Sequence, residues 1–175
     1  EKIHNAAMTI LETTGIEFRD PVALKDWAKA GADVQGERVR IGRDMLMDLI
    51  STVPESWAYA ARNPDRSARV GGRDTVFANA YGATYVYGLD GQRRPSMLED
   101  AHNFFKMGQM AQAMHVPGIL PVEPQDVPVP HRHLELMHAA LTLTDKPVKG
   151  SVLSETAARD CVEMVRIVFG EEFVD

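Results

Sequence analysis

The sequence has 175 residues, 45% of them hydrophobic and 25% charged, which is the composition of a globular domain rather than of a disordered or fibrous chain. Its net charge of −6 argues against binding to duplex nucleic acid, because phosphate binding needs a clustered excess of lysine and arginine. No apolar run approaches the roughly 20 residues of a membrane span, and residues 1–20 lack a secretory signal. Cys161 is the single cysteine of the sequence. We therefore expect a cytoplasmic protein without disulfides, membrane contacts or nucleic-acid partners.

Helices and a hairpin are predicted for the first part of the chain. Apolar residues at helical spacing from Ile3 to Thr14 predict a first amphipathic helix. Asp20-Pro21 is typical of an N-cap followed by proline at the first helical position, and it predicts a second helix that ends at Gly31. A short hairpin and a third helix running up to Pro54 follow.

Short strands and turns dominate the pattern from Trp57 to Arg94. Residues 81–88 run into the turn Asp90-Gly91, which is a strong signal for a β-hairpin. The spacing Ser96-x-x-Glu99 then predicts a capping box that starts a long helix.

Strands and helices alternate after Pro95. We predict a strand at residues 116–122, a helix around residues 134–141, a strand at residues 148–153 and a helix that Ser154 caps. This order predicts an α/β fold in which helices connect parallel strands. An eight-stranded barrel needs about 250 residues, so the chain has room for only the first units of one.

Four motifs occur in the order and spacing of a known enzyme family. They are Ala61-Arg62-Asn63-Pro64, Asp90-Gly91-x-Arg93-Arg94-Pro95, Pro121-Val122-Glu123-Pro124-x-Asp126-Val127-Pro128 and Leu141-Thr142-Leu143-Thr144-Asp145-Lys146-Pro147. Through them the chain resembles the trimethylamine methyltransferase (MttB) family over essentially its whole length. The resemblance implies a (β/α)8 TIM barrel, with residues 1–74 as an N-terminal α+β extension and residues 75–175 as about the first three βα units.

The resemblance also implies a reaction. Enzymes of this family move a methyl group from a tertiary or quaternary methylated amine, of trimethylamine or glycine betaine type, to the Co(I) of a corrinoid protein. The corrinoid would be carried by that partner and not bound tightly by this chain. Catalytic residues, including the pyrrolysine that some members carry, are expected beyond residue 175, and we favour the more widespread betaine type without pyrrolysine.

Two other functions stay open at this stage. One is a non-catalytic relative that binds quaternary amines, and the other is a different barrel enzyme that acts on a carboxylated amine. The chain is expected to be a piece of a longer protein. Because the strand edges of a partial barrel pair readily, we also expect a homo-oligomer.

Tyrosines are the first candidates for holding the substrate. Cobalt can displace nitrogen only as a neutral amine, so the substrate nitrogen must carry positive charge, and aromatic faces bind quaternary ammonium. Tyr81, Tyr85 and Tyr87 share one parity along an extended segment, with Tyr81 nearest the end of the first barrel strand. The alternative is a cross-strand tyrosine face that only stabilises a sheet.

Polar residues after the strands are the second candidates. Glu123 and Asp126 directly follow an apolar strand, where barrel enzymes place site residues, and either could complement a cation. The alternative for Asp126 is an Asx-turn in a proline-rich loop. Asn79 and Gln125 are candidates for binding a substrate carboxylate, with solvated or backbone-bonded amides as the commoner alternative. Lys149 faces either the pocket mouth or solvent.

No metal site is predicted. His131, His133 and His138 form the densest histidine cluster, but neighbours two residues apart on a helix point in different directions. Cys161 lies in an apolar helical stripe, which is typical of a buried and unreactive thiol.

Overall fold

The computed structural model of the protein describes residues 1–118 and 120–173. They form two compact units, Glu1–Pro54 and a second unit that begins at Glu55. Both units mix helices and strands, so the predicted α/β character is confirmed. The boundary predicted after residue 74, between an N-terminal extension and the start of a barrel, stays a prediction.

The first unit is built from three helices and a small antiparallel sheet. Its elements are α1 (Lys2–Thr9), a π-helical turn (Ile10–Thr14), β1 (Ile16–Glu17), α2 (Pro21–Ala30), β2 (Asp33–Gln35), β3 (Arg38–Arg40) and α3 (Arg43–Ser51), with the strand order β1-β3-β2. The predicted start of α2 is confirmed, because the Asp20 carboxylate accepts a hydrogen bond from the Val22 N–H at 3.0 Å. Its predicted end is confirmed as well, because Gly31 adopts the left-handed conformation.

A few buried side chains form the centre of this unit, with Met8, Val39 and Ile41 each under a tenth exposed. Gly15 permits their close packing. Its φ is +71°, and a Cβ at this position would lie 2.4 Å from the Val39 carbonyl oxygen. The glycine that ends the first helical segment therefore also lets β3 approach it closely.

The second unit contains two β-hairpin-like pairs and three long helices. Its elements are β4 (Ser56–Tyr59), β5 (Ala68–Gly71), β6 (Tyr85–Tyr87), β7 (Arg93–Pro95), α4 (Leu98–Met110), α5 (Arg132–Leu143) and α6 (Glu155–Phe169), with 3-10 turns at Pro64–Arg66, Val129–His131 and Glu171–Phe173. β4 pairs with β5 and β6 with β7, both antiparallel. The hairpin predicted around Asp90-Gly91 is confirmed, and the Asp90 carboxylate accepts from the Gln92 N–H at 2.9 Å.

Three short segments of this unit lie side by side in parallel. The bridges that join them are Ala78–Val116, Ala83–Val122 and Gly118–Val148. We call residues 78–83, 116–118, 120–122 and 148 the parallel array. Helix α4 connects its first two segments and α5 connects the second to the third, so the predicted order of extended segments and helices is confirmed. The predicted strands are present as single bridges rather than as continuous ladders.

Helices α4 and α5 cover one face of the parallel array. Phe105 and Leu136 are almost fully buried against Val122, and each such side chain stabilises the fold by about 1.5 to 3 kcal/mol. Val148 contacts this cluster and a second one, formed with Cys161 between α5 and α6. The buried thiol predicted for Cys161 is confirmed, and burial raises its pKa. Within the described ranges, no helix is long and apolar enough to cross a membrane.

The predicted capping box of α4 is wrong by one residue. The helix begins after Met97, whose N–H donates to the Asp100 carboxylate at 2.9 Å, so Asp100 takes the role predicted for Glu99. Ser96 is fully buried, and its hydroxyl donates to the Glu123 carbonyl oxygen at 2.7 Å. The Ser96 side chain therefore connects the start of α4 to the loop after the second parallel segment.

Candidate functional site

Tyr81 and Lys149 meet on the face of the parallel array that α4 and α5 leave uncovered, which we call the open face. Val148 packs into the core, and the next residue of an extended segment points to the opposite side. The Lys149 ammonium lies 5.8 Å from the centre of the Tyr81 ring, within the distance of a cation–π contact. Tyr81 is 69% exposed. The open face therefore presents an accessible aromatic ring next to a flexible cation.

Tyr85 lies in a different environment from Tyr81. Gly82, with φ +76°, interrupts the extended backbone between them, so the predicted single face of three tyrosines is not formed. The guanidinium carbon of Arg93, on the neighbouring strand β7, lies 3.7 Å from the centre of the Tyr85 ring. This side of the Tyr85 ring already carries a cation.

Asn79 and Tyr85 border the same cavity. It has a volume of about 590 Å³ and is mostly apolar, with Phe104 and Met107 of α4 on its far side. The Asn79 side-chain amide donates to the Ala80 carbonyl oxygen at 3.0 Å. This arrangement places the amide at an apolar cavity and not beside Tyr81.

Glu123 borders a second cavity, of about 350 Å³, at the start of helices α5 and α6. Its carboxylate lies 3.9 Å from the Arg132 guanidinium, which is longer than a hydrogen bond. His133, on the same cavity wall, contacts the Asp160 carboxylate at 2.8 Å. Glu123 thus borders a cavity, directly after the second parallel segment, with only a loose ion pair.

Asp126 and Gln125 hold the loop after the second parallel segment. The Asp126 carboxylate accepts from the Leu98 N–H at 2.9 Å, which caps the start of α4 from a distant part of the chain. The predicted Asx-turn is therefore replaced by a nonlocal cap. The Gln125 amide donates to the Glu123 carbonyl oxygen at 2.6 Å. Within the described ranges, the six predicted site residues do not converge on one pocket.

Replacing Asp126 with alanine should lower the free energy of unfolding by about 1 kcal/mol, the usual effect of losing an N-cap hydrogen bond. The control is Glu99→Ala, which removes an exposed carboxylate from the first turn of the same helix. Urea denaturation of both variants measures the difference. Equal midpoints for the two variants would contradict a capping role for Asp126.

A partly buried hydrogen-bond network connects two of the family motifs. The Asp145 carboxylate accepts from the Gln109 amide at 2.7 Å and from the Asn63 amide at 3.1 Å. These two bonds lower the pKa of Asp145, with that from Gln109 having the larger effect. The Thr144 hydroxyl donates to Gln109 at 2.6 Å. The sequence analysis does not predict this network, because the partners of Asp145 lie 36 and 82 residues away along the chain.

Lys146 binds the end of α4. Its side-chain nitrogen donates to the carbonyl oxygens of Gly108, Ala111 and Met114 at 2.9, 2.7 and 2.7 Å. The residue is 3% exposed, and burial lowers its pKa. A cation at this place adds a donor to carbonyl groups at the C-terminus of α4 and in the turn after it, and it complements the helix dipole. Asp145 and Lys146 both lie directly before the third parallel segment, which begins at Val148.

His115 is engaged in the fold. The His115 Nδ1 atom accepts from the Phe77 N–H at 3.0 Å, and its ring stacks on Phe77. Among residues 1–118 and 120–173, no group of three histidine, cysteine, aspartate or glutamate side chains is placed to hold a metal ion.

The parallel segments are connected by helices that cover one face, and polar and aromatic side chains lie on the other face. This arrangement defines an α/β domain of the kind that carries enzyme sites. The model of the trimethylamine methyltransferase (MTTB) family matches residues 1–175, and the chain belongs to this family.

Three relatives show how the chain compares with characterised members. It is 38% identical over 170 residues to glycine betaine methyltransferase of Desulfitobacterium hafniense (strain Y51), covering 97% of this chain and 36% of the relative. It is 23% identical over 168 residues to trimethylamine methyltransferase MttB of Desulfitobacterium hafniense (strain DSM 10664 / DCB-2), covering 94% and 33%. It is 28% identical over 124 residues to L-carnitine:corrinoid methyltransferase of Eubacterium limosum, covering 70% and 25%. The chain thus spans about a third of the length of these two Desulfitobacterium relatives.

Proposed function

We propose that the chain is the N-terminal part of a methyltransferase that moves a methyl group from a betaine-type amine to the Co(I) of a corrinoid protein. The family match supports methyl transfer, and the 38% identity to glycine betaine methyltransferase supports a betaine substrate. The parallel array would be the beginning of a (β/α)8 barrel, whose later strands carry the catalytic residues. The corrinoid is the methyl acceptor and arrives on its own carrier protein.

The reaction defines what the amine site must do. The Co(I) electron pair attacks the methyl carbon, a cobalt–carbon bond forms, and the carbon–nitrogen bond breaks with its electron pair remaining on nitrogen. A quaternary ammonium group leaves in this way as a neutral tertiary amine. The protein must therefore hold a permanent cation, orient one of its methyl groups and leave that methyl group accessible.

The accessible Tyr81 ring is the observation that carries this proposal. A cation, the Lys149 ammonium, already lies over this ring at 5.8 Å, so the geometry for cation binding is present. A tyrosine face contributes about 0.5 to 2 kcal/mol to binding a quaternary ammonium, depending on how far the site is desolvated. Tyr85 is the weaker candidate because Arg93 covers one side of its ring.

Glu123 is the second proposed contact for the substrate cation. Its carboxylate follows the second parallel segment and is paired only loosely, with Arg132 at 3.9 Å. Asn79 and Gln125 are the weaker proposals for binding the substrate carboxylate, because the side-chain amides of both donate to backbone carbonyls and Asn79 borders the cavity of Tyr85.

Methyl transfer can be tested directly with the full-length protein that contains these residues. It would be incubated with its corrinoid protein in the Co(I) state and with glycine betaine, carnitine, proline betaine or trimethylamine. The expected result is the absorbance change from Co(I) to methyl-Co(III) with a betaine. Amine binding without this change would favour a non-catalytic relative, and neither binding nor transfer would refute the proposal.

The Tyr81 ring should contribute measurably to amine binding. Tyr81→Ala is expected to raise the Kd for glycine betaine about tenfold, because loss of one cation–π contact corresponds to about 1 to 2 kcal/mol. Tyr81→Phe keeps the ring and should stay close to wild type. Trp57→Ala is the control, since Trp57 is an exposed aromatic residue on β4 that is not a candidate for the amine site. Titration calorimetry measures all four proteins, and an unchanged Kd for Tyr81→Ala would exclude the ring from the site.

A further inference from the structure

The cation that lies over Tyr81 raises a question about the substrate. A site built for a positively charged amine would be weakened by a second positive charge beside it, because like charges repel at this distance. The Lys149 ammonium nevertheless occupies that place, 5.8 Å from the ring centre. A ligand that carries a carboxylate next to its ammonium group resolves the conflict.

We infer that Lys149 binds the carboxylate of a zwitterionic quaternary amine while the Tyr81 ring holds the ammonium group. Lys149 would thereby select betaines over amines that carry only positive charge. This inference rests on the proposed function and adds to it a specificity-determining residue.

The backbone around these two side chains supports the assignment. The Gly82 N–H donates to the Leu120 carbonyl oxygen at 3.0 Å, which holds the segment of Tyr81 against the middle of the parallel array. The Lys149 N–H donates to the Gly118 carbonyl oxygen at 2.9 Å, which holds the third segment against the same neighbour. Both residues thus project from backbone that is held in place. Only the lysine side chain, with its four-carbon stem, has to move to admit a ligand.

The charge environment leaves Lys149 available for an anion. Among the residues that the structure describes, no carboxylate lies within 4.0 Å of its ammonium, and Glu123 is directed instead to Arg132. The lysine is exposed, unlike Lys146, whose ammonium binds three carbonyl oxygens. An ammonium has three donors and no acceptor, so a carboxylate is its natural ligand.

A pair of matched ligands tests the inference. Glycine betaine and its methyl ester carry the same quaternary ammonium, but the ester has no negative charge. Titration calorimetry with the full-length protein would give the Kd of each ligand for the wild type, Lys149→Met and Lys149→Arg. Lys106→Met is the matched control, because Lys106 is an exposed lysine on α4. Circular dichroism confirms that each variant is folded.

The expected result is selective. Lys149→Met should raise the Kd of glycine betaine at least about tenfold and leave that of the ester unchanged or lower, because a charge-assisted hydrogen bond is lost and a repulsion is removed. Lys149→Arg should keep most of the betaine affinity, and Lys106→Met should resemble the wild type. Equal effects on both ligands, or no effect on either, would overturn the inference.

The same experiment separates this inference from the proposed function. If the wild type transfers methyl groups from glycine betaine but Lys149→Met shows no selective loss, only the role of Lys149 fails. If the wild type neither binds quaternary amines nor methylates the corrinoid, both the proposed function and the inference fail.

Discussion

Replacing Lys146 with methionine is expected to lower the free energy of unfolding by about 3 kcal/mol. The substitution keeps most of the side-chain volume but removes the donor for three carbonyl oxygens, two at the end of α4 and one in the turn after it. Hydrogen bonds from a charged donor each contribute about 1.5 to 3 kcal/mol, and part of that is recovered when water reaches the freed carbonyls. The cost should exceed that of an ordinary surface substitution because the lysine is 3% exposed.

Lys106→Met, the same chemical change at an exposed position of α4, is the control for this stability measurement. Urea denaturation followed by circular dichroism would show a large shift of the midpoint for Lys146→Met and almost none for Lys106→Met. Comparable midpoints for the two variants would mean that the three carbonyl contacts add nothing to stability.

Replacing Gly118 with alanine is expected to be nearly as damaging, by about 3 kcal/mol, at the upper end of the usual cost of overpacking. A Cβ at this position would lie 2.5 Å from the Val148 Cα and 2.8 Å from the Pro147 carbonyl oxygen. Backbone atoms cannot rotate out of the way as a side chain can. The second and third parallel segments would therefore have to separate, and Lys149 would move away from Tyr81 with them.

Gly42→Ala is the matched control for Gly118→Ala, since a Cβ at Gly42 meets no atom within 4 Å and its φ of −65° suits any residue. The stability difference is measured by thermal unfolding, and the loss of amine binding by titration with glycine betaine. A Gly118→Ala protein as stable as Gly42→Ala would show that the segments are not held as closely as the bridge between Gly118 and Val148 implies.

Local signals predicted the secondary structure well because their chemistry involves neighbouring residues. Ser154 caps α6 through the Ala157 N–H at 3.1 Å, and Asp90 stabilises its own turn. Such contacts span two or three residues, so they can be recognised in the sequence. The family motifs were recognised in the same way, as short phrases with fixed spacing.

Polar residues whose partners lie far along the chain were harder to assign. Asp126 was a candidate for substrate binding, but its carboxylate caps α4 at Leu98, 28 residues earlier. Ser96 was predicted to cap the helix beside it, but its hydroxyl bonds a carbonyl 27 residues later. A side-chain oxygen forms a hydrogen bond with whichever partner folding brings close to it. Residues near it in the sequence do not identify that partner.

The sequence by itself determined the α/β pattern, the starts and ends of most helices, the central hairpin and the resemblance to methyltransferases, because these depend on periodicity and on contacts between near neighbours. Only the tertiary structure decided the roles of two lysines three residues apart. Lys146 is buried and binds the end of α4, whereas Lys149 lies over the exposed Tyr81 ring. The physical reason is that burial and charge environment arise from segments brought together by folding, and similar side chains then acquire different functions.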